Sequence, residues 1–321
     1  MRDFQSNDEH DPEAFGKAID FEEVLRRCEG AFAQHTLRGY AADLGAFAAW
    51  CRKAGQTSLP ATSSSVAAFV DAESLLVAPS TLRRRLCAIK FAHRYADLPD
   101  PTASGGVQLA LKRAARRKPR RPRQVRGLNI DSLHAILAAC PDTLAGARDA
   151  AIISVGYDTL CRSCELAAMR VDQIRSNGSD NSSILIPRSK GDQAGDGRIA
   201  WLSPRSVGLI SIWQDISGIQ TGPLFRALHL RRISDQKLDP CSVRRLVKRA
   251  ARRADIEPEL ADNLSGHSMR VGAAQDMMVA GFDALAIMQA GGWRTPNVLL
   301  RYVEKASMQG VHIKRWAALG G

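Results

Sequence analysis

SGHSMRVGAAQDMMVAGFDALAIMQAGGWRTPNVLLRY, residues 265–302, reads as three consecutive short helices. His267 and Arg270 stand three apart, a spacing that puts two side chains on one helix face. Val271, Ala274 and Met278 supply an apolar opposite face. Gly291-Gly292 reads as a helix stop. Thr295-Pro296 reads as an N-cap followed by proline in the first helical position, which places Tyr302 about two turns into a helix. An imidazole, a guanidinium, the indole N–H of Trp293 and a phenol brought together in this way form a set able to hold a phosphate diester and attack it.

The pair His-x-x-Arg alone carries little information. The chain has it four times, at His35/Arg38, His229/Arg232, His267/Arg270 and His312/Arg315, and only His267/Arg270 has Gly-Gly-Trp293 and Tyr302 behind it. Working back toward the N-terminus, the period changes. Ser183–Pro187 and Arg198–Leu202 read as two strands joined by a polar, glycine-rich turn. That hairpin carries Lys190, the only lysine between Lys118 and Lys237. Residues 145–159 read as a buried helix, and 164–174 as a helical continuation after the Cys161-x-x-Cys164 pair. Without further Cys or His ligands nearby, that pair reads as small packed side chains. Seven scattered cysteines, an odd number, suit reduced thiols in a cytosolic protein better than a disulfide framework.

The N-terminal third is helical in pattern. Residues 35–54 place Leu37, Tyr40, Leu44, Phe47 and Trp50 at three- and four-residue steps, and 63–76 repeat the pattern through Val66, Phe69, Val70 and Leu76. A helix from Pro79 to about Ala96 has Leu82, Leu86 and Ile89 on one side and Arg83, Arg84, Lys90 and Arg94 on the other. Residues 112–126 contain nine basic residues, among them Arg116, Arg117, Arg120 and Arg121, with no acidic residue and two prolines. Such a segment reads as an extended, cationic linker. A further basic helix over 242–254 begins with Arg244 and Arg245. With 45 Lys and Arg against 33 Asp and Glu, the net charge is +12, which points to a polyanionic partner such as nucleic acid. No apolar run approaches the ~20 residues of a membrane span, and the acidic first residues do not read as a signal peptide. No Walker A loop or dinucleotide glycine motif is present, so no nucleotide cofactor is implied.

The set His267-x-x-Arg270, Gly-Gly-Trp293, Tyr302 resembles the C-terminal signature of the tyrosine recombinase (phage integrase) family. YDTLCRSCELAAMRVDQI, residues 157–174, resembles the family's first arginine box. HTLRGYAADLGAFAAWCRKAG, residues 35–55, and STLRRRLCAIKFAHRYADLP, residues 80–99, resemble two helices of its N-terminal DNA-clamping domain. The resemblance implies a mainly α, two-domain DNA clamp. Its parts would be an acidic disordered N-terminus (1–16), a helical core-binding domain (17–117), a basic linker (118–128), and a mostly α catalytic domain with a small antiparallel sheet and a C-terminal oligomerisation helix (129–321). It implies a site-specific DNA recombinase working through a 3′-phosphotyrosyl intermediate and a Holliday junction, with no cofactor and neither metal nor ATP.

In that scheme Tyr302 is the nucleophile. Arg162 and Arg270 clamp the phosphate, Lys190 is the general acid, and His267 takes a proton or bonds the phosphate. Trp293, where many members of the family have His, donates its indole N–H, and Glu165 orients an arginine or His267. The partners implied are duplex DNA with an inverted-repeat site and three further copies of the chain, joined by exchange of the C-terminal helix over 307–319. The expected location is the cytoplasm, with the nucleoid in a bacterium. The competing readings are a type IB topoisomerase-like nicking-closing enzyme and a non-catalytic DNA-binding protein.

Overall fold

The computed structural model describes residues 20–117, 125–176, 182–187, 197–229, 232–304 and 309–319. The chain divides into two units, residues 1–123 and 124–321, so the division falls inside the basic run.

The first unit contains α1 (Phe21–Arg27), α2 (Gln34–Lys53), α3 (Ser63–Glu73), α4 (Pro79–Tyr95) and α5 (Gly105–Arg117). The i, i+3, i+4 apolar lines of the sequence become its core. Leu44, Phe47 and Cys51 of α2, Val66, Phe69 and Val70 of α3, and Leu82, Ile89 and Ala92 of α4 are buried together with Val107 and Ala110 of α5. Phe47 and Phe69 meet edge to face with ring centroids 5.0 Å apart. α3 stops three residues short of the expected end. Ser74 turns its hydroxyl back onto the Asp71 carbonyl, and Leu76, expected on the apolar line, is exposed. Local side-chain bonds of this kind compete with helix propagation.

The cationic face of α4 is partly spoken for. Arg84 holds the buried Asp43 with two bonds of 2.7 and 2.8 Å, and Lys90 pairs with Asp100 at 3.1 Å. Among the described residues Arg83 and Arg94 are exposed and make no ion pair.

His93 lies fully inside this unit. Its Nε2 accepts the Ala61 N–H at 2.9 Å and its Nδ1 donates to the Ile89 carbonyl at 2.8 Å. Burial holds its pKa below the ordinary value. A histidine depressed in the folded state contributes stability above the unfolded pKa of about 6.5 and loses it as pH falls through the folded value. The melting temperature should therefore drop between about pH 7 and pH 5, and His93→Gln, which cannot take up a proton, should flatten that drop. Each kcal/mol involved moves the midpoint by roughly 4–8 °C in a domain of this size. Equal slopes for the two proteins in circular dichroism melts would remove His93 from this role.

The second unit begins with α6 (Ile130–Ala138), α7 (Leu144–Asp158) and α8 (Ser163–Ala167). A three-stranded sheet follows, β1 (Ile174–Ser176), β2 (Ser182–Ile186) and β3 (Arg198–Leu202), then α9 (Pro204–Ser217). Next come the hairpin β4 (Arg226–His229) and β5 (Arg232–Lys237), then α10 (Pro240–Arg253) and α11 (Pro258–Asn263). α12 (Ser268–Val279), α13 (Ala284–Gly291), α14 (Pro296–Val303) and α15 (Gln309–Ala318) complete it. α7 is the central helix. Ten of its residues are buried, and α6, α9, α10 and α12 pack around it. Trp213 of α9 is fully buried in the same core, its indole N–H donating to the Leu224 carbonyl at 2.8 Å.

The expected β2–β3 hairpin is present in antiparallel register, Ile184 facing Ala200 and Ser183 facing Trp201. Two features depart from the sequence reading. Ile174, expected to end a helix, instead opens the edge strand 174–176, which pairs with β2. The β4–β5 hairpin has no counterpart among the expected elements, because its strands are short and none of their residues is buried. At the start of the unit, Leu128 is buried, and its N–H donates to the Ser268 carbonyl at 2.9 Å. Thus the last part of the segment expected as linker already packs on α12. Among the described residues no helix is long and apolar enough to cross a membrane.

Candidate active site

Arg162, His267, Arg270, Trp293 and Tyr302 converge on the N-terminal end of α12. His267 is the N-cap of that helix (φ −95°, ψ −11°) and Arg270 its third residue, so the imidazole stands over the turn that carries the guanidinium. They meet because the imidazole sits at the helix entrance and the guanidinium rises from its first turn. Gly266 allows the close approach. A Cβ there would lie 2.2 Å from the Ser163 hydroxyl, so the Ser-Gly-His turn can press against the start of α8, where Arg162 stands.

Arg162 is the N-cap of α8. Its N–H donates to Glu165 Oε2 at 3.0 Å and its Nη1 to Glu165 Oε1 at 2.7 Å. The Glu165 side chain is 2 % exposed against 29 % for Arg162. A buried carboxylate thus fixes the stem of an arginine whose fork still reaches solvent.

Arg270 is fully buried. Its Nη1 donates to the carbonyls of Leu160 and Gly291, the latter at 2.8 Å. Its guanidinium carbon lies 4.0 Å from the centroid of the Trp293 ring. The Gly-Gly turn explains that stacking. A Cβ on Gly291 would fall 2.1 Å from the Trp293 ring, and Gly292 is left-handed at φ +65°. The first glycine admits the ring and the second reverses the chain after α13.

Tyr302, on α14, completes the group. Its hydroxyl is 2.7 Å from His267 Nε2, and its ring centroid is 5.8 Å from that of Trp293. The other three tyrosines are engaged elsewhere. Tyr157 donates its hydroxyl to Asp276 at 2.5 Å, and Tyr40 and Tyr95 pack on Phe91.

The charge balance of this cluster is lopsided. Burial, and after it the positive charges of Arg270 and Arg162, push the His267 pKa down to about 4. Burial, and then Arg162, bring Arg270 down to about 10. Arg270 Nε, Arg270 Nη2 and Trp293 Nε1 are buried with no hydrogen-bond partner among the described residues. A donor left unsatisfied in this way costs roughly 1–3 kcal/mol, more on a charged group. Three such donors beside a Tyr–His pair describe a seat for an anion with several oxygens.

Two contributors escape sequence reasoning. Gln275 Nε2 donates to the Tyr302 backbone carbonyl at 2.9 Å, tying α12 to the end of α14. Arg198, a poor proton donor like any arginine, donates to the carbonyls of Ala290 at 2.9 Å and Thr159 at 2.7 Å. Neither carries a spacing signal, because each bonds backbone carbonyls distant in the chain.

Lys190 lies outside the described residues, between β2 and β3, as do Arg120 and Arg121. Arg244 and Arg245 are exposed in the first half of α10 and form no ion pair among the described residues. Farther along that helix, Arg249 and Arg252 are taken up by Asp149 and Asp262. In the first unit Arg116 is exposed, and Arg117 donates to the Ser74 hydroxyl at 3.3 Å.

Two family models match the chain. That of the phage integrase family covers residues 126–308, and that of the phage integrase N-terminal SAM-like domain covers residues 19–97. An integrase/recombinase XerD homolog of Selenomonas ruminantium is 28 % identical over 295 residues, 88 % of this chain and 85 % of that protein. The recombinase Cre of Escherichia phage P1 is 27 % identical over 294 residues, 85 % and 84 % of the two chains. Among solved structures, the XerH site-specific recombinase in a post-cleavage complex with palindromic difH substrate superposes with a TM-score of 0.65 at 17 % identity. That match covers 90 % of this chain and 82 % of the other.

Proposed function

Because the chain belongs to the phage integrase family, we propose that it is a site-specific tyrosine recombinase whose strand-cleaving nucleophile is Tyr302. The observation that carries this reading is the juxtaposition of the His267–Tyr302 hydrogen bond with three buried, unpartnered donors. A DNA phosphate seated on Arg270, Trp293 and Arg162 would satisfy those donors. The Tyr302 oxygen attacks phosphorus, the bond to the 5′-oxygen breaks, and a 3′-phosphotyrosyl ester forms. The phenolic proton passes to His267 Nε2, and Lys190 protonates the departing 5′-oxygen. Attack by the 5′-hydroxyl of a partner strand reverses these steps on a new junction, so the phosphodiester energy is conserved through the exchange. Two arginines and an indole N–H aimed at the non-bridging oxygens stabilise charge that grows in the transition state.

Duplex DNA is the substrate, and exposed Arg83, Arg94, Arg116, Arg244 and Arg245 are its candidate phosphate contacts. Assembly on two inverted-repeat sites as a tetramer is supported by two apolar surfaces. One is α15 with the residue that follows it, where Ile313, Trp316 and Leu319 are exposed. The other is a groove lined by Met278, Leu300 and Val303. The α15 of a second copy is the occupant that fits, by a head-to-tail contact that closes into a ring. Such an enzyme works in the cytoplasm, beside its DNA.

The decisive experiment lets the protein select its own target. Protein is incubated with sheared DNA from its source, denatured, and the covalently attached fragments are sequenced. A common inverted repeat around a short spacer supports the reading, and tight DNA binding with no covalent fragment would sink it. Plasmids bearing two copies of the recovered repeat then separate exchange from simple relaxation, which a topoisomerase-like enzyme gives with one site. A chain ending at Glu304 should still form the adduct yet not assemble on two sites.

Two residue roles can be tested on that substrate. The second-order cleavage rate constant reports groups of the DNA-free protein. With His267 held near 4, the base form persists well below the midpoint of a free imidazole. The rate should therefore stay level down to about pH 6 rather than halve near pH 6.5. A midpoint at about 6.5 that persists unchanged in His267→Gln would remove His267 as proton acceptor. Lys190→Ala should slow cleavage by roughly 10²–10⁴-fold with little loss of binding. A 5′-phosphorothiolate, whose leaving group needs no proton, should restore the rate.

A further inference from the structure

Two arginines grip the same two loops one residue apart. Arg270 bonds the carbonyls of Leu160 and Gly291. Arg198, from β3, bonds the carbonyls immediately before them, Thr159 and Ala290, and reaches Cys161 Sγ at 3.4 Å. The first loop leads into Arg162 and the second into Trp293. Leu160 is held at φ +50° between the two grips, a conformation that a branched aliphatic residue adopts only where its surroundings impose it. The Arg198 stem also lies against the Gly-Gly turn, since a Cβ on Gly292 would stand 2.9 Å from Arg198 Cδ.

We infer that Arg198 is a positioning residue for strand cleavage, clasping the Thr159–Arg162 loop to the Ala290–Trp293 turn so that the Arg270 donors remain free for phosphate. This rests on the reading of the site given above. The physical argument concerns which donor serves which acceptor. Buried carbonyls demand partners. Without Arg198, the Thr159 and Ala290 carbonyls would lose theirs. The unused Nε–H and Nη2–H of Arg270 are donors one residue along both loops. If they turned to those carbonyls, the seat would lose two of its three open donors. A planar fork can span two carbonyls at once, whereas the single ammonium of a lysine cannot reproduce that geometry. Arg198 contacts neither Tyr302 nor the open donors, so its effect on the reaction is exerted through Arg270, Arg162 and Trp293.

The test compares the full-length protein with Arg198→Lys and Arg198→Met on the duplex recovered through its covalent adduct. At saturating protein both variants should form the Tyr302 adduct roughly 10²-fold more slowly, the size of effect expected for ångström-scale misplacement. Affinity for the same duplex should change by less than about threefold. Combining Arg198→Met with Trp293→Phe should cost less than the product of the single losses, because both act on one phosphate contact. A merely structural role predicts independent losses that follow the melting temperature. Wild-type rates in either variant, or strictly multiplicative losses, would overturn the proposal.

A readout independent of cleavage keeps the inference separable from the recombinase reading. Sulfate should raise the melting temperature of the wild-type protein above that in sodium chloride of equal ionic strength, and Arg198→Met should lose that increment. An equal increment in both proteins counts against Arg198. Absence of any Tyr302-dependent adduct from the wild-type protein counts against the recombinase reading alone.

Discussion

Tyr302→Phe is expected to abolish covalent attachment to DNA while leaving the fold and DNA affinity intact. The substitution removes one oxygen and, with it, a 2.7 Å bond to His267. A hydrogen bond between neutral groups contributes only about 0.5–1.5 kcal/mol net, so the melting temperature should shift by a few degrees at most. The ring keeps its place beside Trp293, and no phosphate-binding donor is touched. The reaction, however, loses the atom that forms the new bond. No other tyrosine is placed to replace it, since the Tyr157 hydroxyl is buried on Asp276, with burial and that carboxylate raising its pKa. Loss of a nucleophile costs several orders of magnitude, about 10⁴-fold or more. Quench-flow on a nicked duplex, with a gel shift on the same duplex, separates the two quantities. An adduct persisting in the variant would assign the nucleophile elsewhere.

Arg270→Met is likewise expected to pair a large functional loss with a small structural one. Removing a single preorganised donor from a site of this kind costs about 10²–10³-fold, and here two open donors are lost together. Cleavage should therefore fall by at least about 10³-fold. Stability should change by no more than about 2 kcal/mol, because two terms oppose. Losing the bonds to the Leu160 and Gly291 carbonyls destabilises. Removing a fully buried cation that is repelled by Arg162 stabilises, and the desolvation of such an ion costs several kcal/mol. Thermal melts without DNA and single-turnover cleavage with it decide the matter. A collapse of the fold in the melts would mean that Arg270 is chiefly structural.

The parts of this site legible in the sequence are those set by neighbours in the chain. The Gly291-Gly292 stop, the Thr295-Pro296 start and the depth of Tyr302 in α14 all follow from capping and turn chemistry. The buried character of α7 follows from composition. His267 falls on the other side of a boundary from the one its spacing suggests, because three residues to Arg270 read as one helix face whether or not the first residue is inside the helix. What the sequence hides is bonded across long separations. Arg198 and Gln275 work on backbone carbonyls, which every residue has, so no residue type marks their targets. β1 and the β4–β5 hairpin are equally hidden, because three to six residues with irregular burial carry too little periodicity.

The paired grip of Arg198 and Arg270 also bears on how this chain can change in length. Because successive carbonyls of two loops are held in fixed correspondence, one residue inserted between Thr159 and Arg162, or between Ala290 and Trp293, would offset every bond of the clasp at once. Homologous chains should therefore keep these two short loops at constant length, whatever residues they gain or lose elsewhere.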